Sequence, residues 1–163
     1  MSDLILFDEE FQQIKDVIAR LKTDAQAKVV FIVDKNGQQI AAQGDLDSLD
    51  TTSLASLTAG NVAATDGLAK LIGEKEFPVL FHEGERDNVY ISIVSQRVIL
   101  VVIFDERSSL GLVRLRVRKA NQDLERVFEA INKKVELEKD KKGDVDSPFA
   151  EITDEDIDSL FRE

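Results

Sequence analysis

The sequence contains no cysteine and a single histidine, His82. The first absence removes disulfides and thiolate chemistry. Together the two exclude the usual zinc sites, which draw on several Cys or His ligands. His82 could serve as a general base only with an orienting partner, and the sequence assigns none; an ordinary strand-end histidine is the simpler reading. No GxxxxGK[ST] or GxGxxG run occurs, which argues against nucleotide binding by those loops. Long apolar runs are missing as well. The longest, Val98 to Phe104, is far too short to cross a membrane as a helix. The opening "MSDLILFDEE" has neither a basic stretch nor a long apolar core, so no signal peptide is expected. Positive charge is also in deficit: 32 acidic against 21 basic side chains give a net charge of -11. That balance argues against nucleic acid and anionic membranes as main partners. A cytoplasmic protein is expected, with no cofactor and no metal ion.

The charge is unevenly distributed. From Asp144 to Glu163 eight acids face one base, a net of -7, which leaves -4 for the rest of the 163 residues. A body with 43% hydrophobic residues is large enough for one domain, and the acidity belongs to an appendage.

Periodicity divides the body into elements. Phe11, Ile14, Ile18 and Leu21 recur at helical spacing behind Asp8, a residue suited to an N-cap, and predict a first helix over about Glu9 to Lys22. "KVVFIVDKNGQQIAAQG" reads as a hairpin, with Asn36-Gly37 as the turn because both residues tolerate positive φ. A second helix starts at Asp50, Thr51 or Thr52 and stops near Gly73. Three strands follow, about Val79 to His82, Val89 to Val94 and Arg97 to Phe104. The short Ser95-Gln96 connection makes the last two antiparallel neighbours. "VILVVIF" is apolar throughout, as a central strand covered on both faces would be. From Ser109, "LVRLRVRK" alternates like a strand, but Val113, Val117, Ala120, Leu124, Val127, Ile131 and Val135 hold helical period and favour a long helix. The expected architecture is α+β: order αββαβββα, a five-stranded antiparallel sheet between helices, then a tail with a short helix. Residues 1–138 form the domain, 139–148 a flexible charged linker, and 149–163 an acidic amphipathic segment.

The second helix poses the main question. On a helical wheel Leu54, Leu57, Ala64, Leu68 and Leu71 form one stripe, expected to pack on the sheet. Ser56, Ala59, Gly60, Ala63 and Gly67 form another, roughly 110° away. Each interior glycine costs about 1 kcal/mol against alanine. A face turned only to water would favour Lys, Glu or Gln. Small residues let another backbone approach. A close contact within the chain and a docking face for a second molecule both explain them.

Other candidates are weaker. Asp154, Asp156 and Asp158 alternate as at the start of an EF-hand loop, but the required Gly and bidentate Glu are missing. The bases of "VRLRVRK" are either a partner-facing patch or a solvated helix face. Arg86, in a hairpin loop, has the exposure an arginine finger needs, as most surface arginines do.

Four stretches, "DTTSLASLTAGNVAATDGLAKLIGE", "FHEGERDNVYISIV", "LVVIFDERSSLGLVRLRV" and "SPFAEITDEDIDSLF", resemble the MglB family across about Phe7 to Phe161. These are bacterial roadblock-domain regulators of MglA-like, Ras-family GTPases. The resemblance implies a homodimer joined edge to edge, through the strand around Val89 to Val94, with the second helices side by side. Two protomers would bind one GTP-bound GTPase on that surface. Ala63 and Gly67 match the family's GTPase-facing positions; Ser56, Ala59 and Gly60 extend that face by the wheel. The resemblance also implies activation of GTP hydrolysis without an arginine finger, by fixing the GTPase's own switch regions, so this chain would have no active site of its own. A tail anchored by Phe149, Ile152, Ile157, Leu160 and Phe161 would dock on the GTPase and favour nucleotide exchange. The setting would be cell polarity or gliding motility, with enrichment at a pole. A roadblock scaffold that binds a GTPase without altering hydrolysis is the alternative.

Overall fold

A strand with no polar position, such as Val98–Phe104, is stable only if both of its faces are covered. The computed structural model, which describes residues 7–144, covers it that way. The elements in chain order are α1 (Asp8–Asp24), β1 (Val29–Asp34), β2 (Gln39–Gly44), α2 (Thr51–Leu71), β3 (Val79–Glu83), β4 (Asn88–Val94), β5 (Val98–Phe104) and α3 (Leu110–Asp144). The sheet runs β2-β1-β5-β4-β3, with every neighbouring pair antiparallel. β5 lies at its centre, and all seven of its residues are buried.

Strand alternation then assigns the two faces. Val30, Ile32, Tyr90, Leu100 and Val102 point towards α1 and α3, where they join Ile14, Ile18, Val113, Val117, Leu124 and Ile131 in one core. Val29, Phe31, Val33, Ile91, Ile99 and Val101 point the other way and join Ala55 and Val62 of α2. The result is three layers, and α2 alone covers its side. The helical period of "LVRLRVRK" prevails over its strand-like alternation because Ser109 caps a helix there: its hydroxyl accepts the Leu112 N–H at 3.2 Å.

Several local expectations change. Phe7, not Asp8, is the N-cap of α1, and no side chain caps it. Asp8 lies one residue further in, where with Glu9 and Glu10 it offsets the helix dipole instead. In the turn of the first hairpin only Gly37 takes positive φ, at +90°. Asp34 organises that turn by accepting the N–H groups of Asn36 and Gln38, each at 2.9 Å, so Asn36 has no need of a left-handed conformation. Ser95 and Gln96 adopt φ of +53° and +61° and turn β4 into β5. The edge-to-edge pairing inferred for Val89 to Val94 does not fit the topology: β4 is bonded to β5 on one side and β3 on the other. The sheet's outer strands are β2 and β3. Finally, α3 continues to Asp144, into the stretch read as a linker at 139–148. High charge lowers hydrophobicity, but Glu, Lys and Leu are strong helix formers, so "ELEKDKK" extends a helix already nucleated upstream.

Candidate partner-binding surface

α2 begins on a well-made cap. The Asp50 carboxylate accepts the Ser53 N–H at 3.0 Å and the Ser53 hydroxyl at 2.6 Å. The hydroxyl bond first, and the backbone bond second, hold the Asp50 carboxyl below its usual range. The helix ends in a Schellman arrangement. Gly73, at φ +83°, donates to the Lys70 carbonyl at 3.3 Å and Glu74 donates to the Ala69 carbonyl at 2.9 Å. Both ends are thus fixed by residues outside the apolar stripes.

The faces between those ends are reversed from expectation. The residues buried against the sheet are Ala55, Thr58, Ala59, Val62 and Ala69. The leucine stripe is outside: Leu57 is 72% exposed, Leu68 55% and Leu71 85%. Leu54 is partly buried against the core, and Ala64 is exposed. Small side chains bring the helix close to a flat sheet of β-branched residues, which larger leucines would hold away.

The second stripe divides. Ala59 is buried, and so is withdrawn from any docking face. A Cβ placed on Gly37 would lie 3.3 Å from the Ser56 Cα and 3.7 Å from the Ala59 Cβ. Ser56 and Ala59 are therefore small because the β1–β2 turn passes over them, the intramolecular explanation. Gly60 and Gly67 are different: a Cβ on either would meet nothing within 4 Å. Ala63 is exposed too. No packing within the described residues accounts for these three.

Advancing 100° per residue, the exposed residues Ala63, Ser56, Gly67, Gly60, Leu71, Ala64, Leu57 and Leu68 fill a continuous arc of roughly 140°. The only ionisable residues of α2 are Asp66 and Lys70, and both lie outside that arc. The face is thus apolar, uncharged and low in relief. Ile72 is exposed just beyond it; Val79 and Phe81 of β3 are exposed too, but on the α3 side of the sheet, where Phe81 stacks on Phe104. Contiguous exposed apolar surface of the kind that α2 presents is characteristic of interaction sites.

The chemistry nearby is sparse. Among the described residues the side-chain hydrogen-bond partner of His82 on β3 is Asn61 of α2, with Nδ2 3.0 Å from its Nε2. Among the described residues no three His, Cys, Asp or Glu side chains are grouped to hold a metal ion. Arg86 is exposed in the β3–β4 turn, beside Asp87, which pairs with Lys28 at 3.1 Å. Among the described residues no helix is long and apolar enough to cross a membrane. Phe149, Ile152, Ile157, Leu160 and Phe161, with the aspartates between them, lie outside the described residues. The sequence pattern missed the exposure of Leu57, Leu68 and Leu71. The available signal was the run of small residues at 55, 58, 59, 62 and 69, which spells a second, narrower apolar stripe.

Comparison with known proteins supplies the family. The Roadblock/LC7 domain model matches residues 13–104. The structure is similar to that of MglB from Myxococcus xanthus, with 62% identity, a TM-score of 0.75, and coverage of 78% of this chain and 96% of that one. It is similar to the gliding protein MglB from Thermus thermophilus at 32% identity and TM-score 0.74, covering 80% and 98%. An MglB described as having a tetrameric arrangement matches at 30% identity and TM-score 0.75, again covering 80% and 98%. No curated protein sequence matches.

Proposed function

The chain belongs to the Roadblock/LC7 family, to its MglB group, and from that membership we propose that it is a homodimeric activator of GTP hydrolysis by an MglA-like small GTPase. One observation carries the reading: α2 turns an uncharged arc of leucines, alanines and unpacked glycines to solvent. Two such helices side by side would present a broad apolar platform to one GTP-bound partner. The dimer would form through β3, an outer strand of the sheet whose Val79 and Phe81 are exposed. An unpaired apolar edge is a template for another strand. His82 of β3 bonds with Asn61 of α2, so α2 sits beside that edge, and antiparallel pairing there would set the two helices on the same side.

The mechanism asks positioning of this chain rather than chemistry. Phosphoryl transfer needs little covalent help, and ordering the partner's switch regions can lower its barrier by several kcal/mol. The GTPase would supply its own catalytic groups. The C-terminal segment from Phe149 would add a second contact on the GTPase, away from the nucleotide, that promotes exchange. Through the partner the protein would act in cell polarity and gliding motility, in the cytoplasm and concentrated at a pole.

Single-turnover GTP hydrolysis by the cognate GTPase, with and without this protein, tests the reading. Acceleration is expected, and Gly67→Arg or Ala63→Arg should return hydrolysis to its intrinsic rate while the dimer persists. Hydrolysis left at the intrinsic rate by the unaltered protein would refute the activator. GTP-dependent binding without acceleration would make the protein a scaffold.

A further inference from the structure

The opposite side of the molecule carries a patch that the GTPase reading does not use. From Leu110 to Gln122, α3 has four bases and no acid: Arg114, Arg116, Arg118 and Lys119. Arg114, Arg118 and Lys119 are exposed. Among them stands Leu115, 59% exposed. Its i+3, i+4 and i+7 neighbours are Arg118, Lys119 and Gln122, so it is an apolar knob in a basic rim. The gap beside α1 extends this surface, lined by Arg20, Asp24, Arg116, Lys119 and Asp123 around Val17 and Ala120. The Arg116 Nε is buried there without a hydrogen-bond partner. The body to Gly143 has a net charge of -4, so a basic patch stands against its surroundings.

We propose that this face of α3 is the resting dock of the chain's own acidic C-terminal segment. Charge selects that occupant: Asp144 to Glu163 carries -7. Its apolar residues, Ile152, Ile157 and Leu160, are spaced among aspartates as Leu115 is among arginines. Reach permits it. Leu115 lies 29 residues before Asp144, roughly 43 Å back along the helix at 1.5 Å per residue. The twelve residues Val145 to Asp156 extend to about 43 Å, which brings Ile157 and Leu160 level with Leu115. Tethering holds the segment at a high effective concentration, so weak contacts suffice. The attraction is exposed to solvent and falls with added salt. The docking needs no GTPase and stands or falls apart from the reading above. It would hold the tail away from any other partner until displaced.

The absence of native cysteine allows a single nitroxide at Ser159→Cys in the full chain. Isotopically labelled chain is diluted into an excess of unlabelled, nitroxide-free chain, so that only effects within one molecule are read. The amide signals of Leu115, Arg118, Lys119 and Gln122 should lose most of their intensity, while those of Gly67 and Leu68 keep theirs. The double variant Arg118→Glu, Lys119→Glu should restore the lost intensity, as should high salt. These positions are exposed, so the variant keeps its fold, checked by unchanged amide shifts in the core. Full intensity at Leu115, loss centred on α2 instead, or loss that survives charge reversal would each overturn the proposal.

Discussion

On one side of the sheet, α1 and α3 bury Ile14, Ile18, Val117, Leu124 and Ile131 and turn charged residues outwards. On the other, α2 buries alanines and a valine and turns Leu57, Leu68 and Leu71 outwards. Both helical layers pack on the same strands, so the sheet does not impose the difference. The α1–α3 side is finished within the chain. The α2 side is not: a thin inner face seats the helix, and an apolar outer face is left exposed. A helix is read correctly from its hydrophobic stripe only when one surface competes for it. On α2 the larger side chains face outwards.

Equivalent truncations on the two sides should break the symmetry most. Leu124→Ala in α3 removes a side chain with no exposure and should cost about 2–5 kcal/mol in urea unfolding. Leu68→Ala in α2 should stay within about 0.5 kcal/mol in the protomer. The order should invert for GTPase activation, where Leu68→Ala weakens it and Leu124→Ala, once corrected for the folded fraction, does not. Equal destabilisation by the two would mean that α2's outer leucines are part of the chain's own core.

Glycines sharpen the same contrast at smaller scale. Gly44 ends β2 at φ +119°, and a Cβ there would overlap the Lys28 carbonyl oxygen, so Gly44→Ala should destabilise by more than about 1 kcal/mol. Gly60 lies in α2 with open space above it, and Gly60→Ala should stabilise by up to about 1 kcal/mol. Thermal unfolding of the two variants checks both signs. A destabilising Gly60→Ala would mean that the position is packed within the chain after all.

Much of this was legible in the sequence, for identifiable reasons. β5 announced itself because seven consecutive apolar residues have no other comfortable place than a sheet centre. α3 was legible because Val113 to Ile131 keep one period against one core. The exposed face of α2 was half legible. Gly60, Ala63 and Gly67 stood out as small residues open to either explanation, and the structure leaves them exposed. Ala59 was assigned outwards because size alone does not say which side of a helix a small residue serves. The leucines were assigned inwards because hydrophobicity does not distinguish a core from an interface. Edge pairing was placed on β4 because strand order in a sheet depends on long-range contacts, which local pattern does not encode. β3, whose residues are largely exposed, became identifiable as an outer strand only with the topology.

The smallest expected difference between the sides is electrostatic. Glu10 is buried between α1 and α3, where it bonds with Lys134. That bond holds the Glu10 carboxyl below its usual range and the Lys134 ammonium above its own. On the other side, Ser53 depresses the Asp50 carboxyl at the head of α2. A carboxylate depressed in the folded state stabilises that state above its unfolded pKa and loses the contribution as pH falls through the folded value. A lysine raised by the same bond keeps its contribution until pH rises through its folded value, so the Glu10–Lys134 pair is intact across neutral pH. Glu10→Gln should therefore be less stable than the parent at pH 7, with the gap closing as pH drops below the usual carboxylate range. Asp50→Asn should show the same sign with a smaller gap, because asparagine remains a competent N-cap. Urea midpoints measured from pH 7 down to pH 3 check both. A gap for Glu10→Gln that stayed constant over that interval would mean that packing, and not the ion pair, joins α1 to α3.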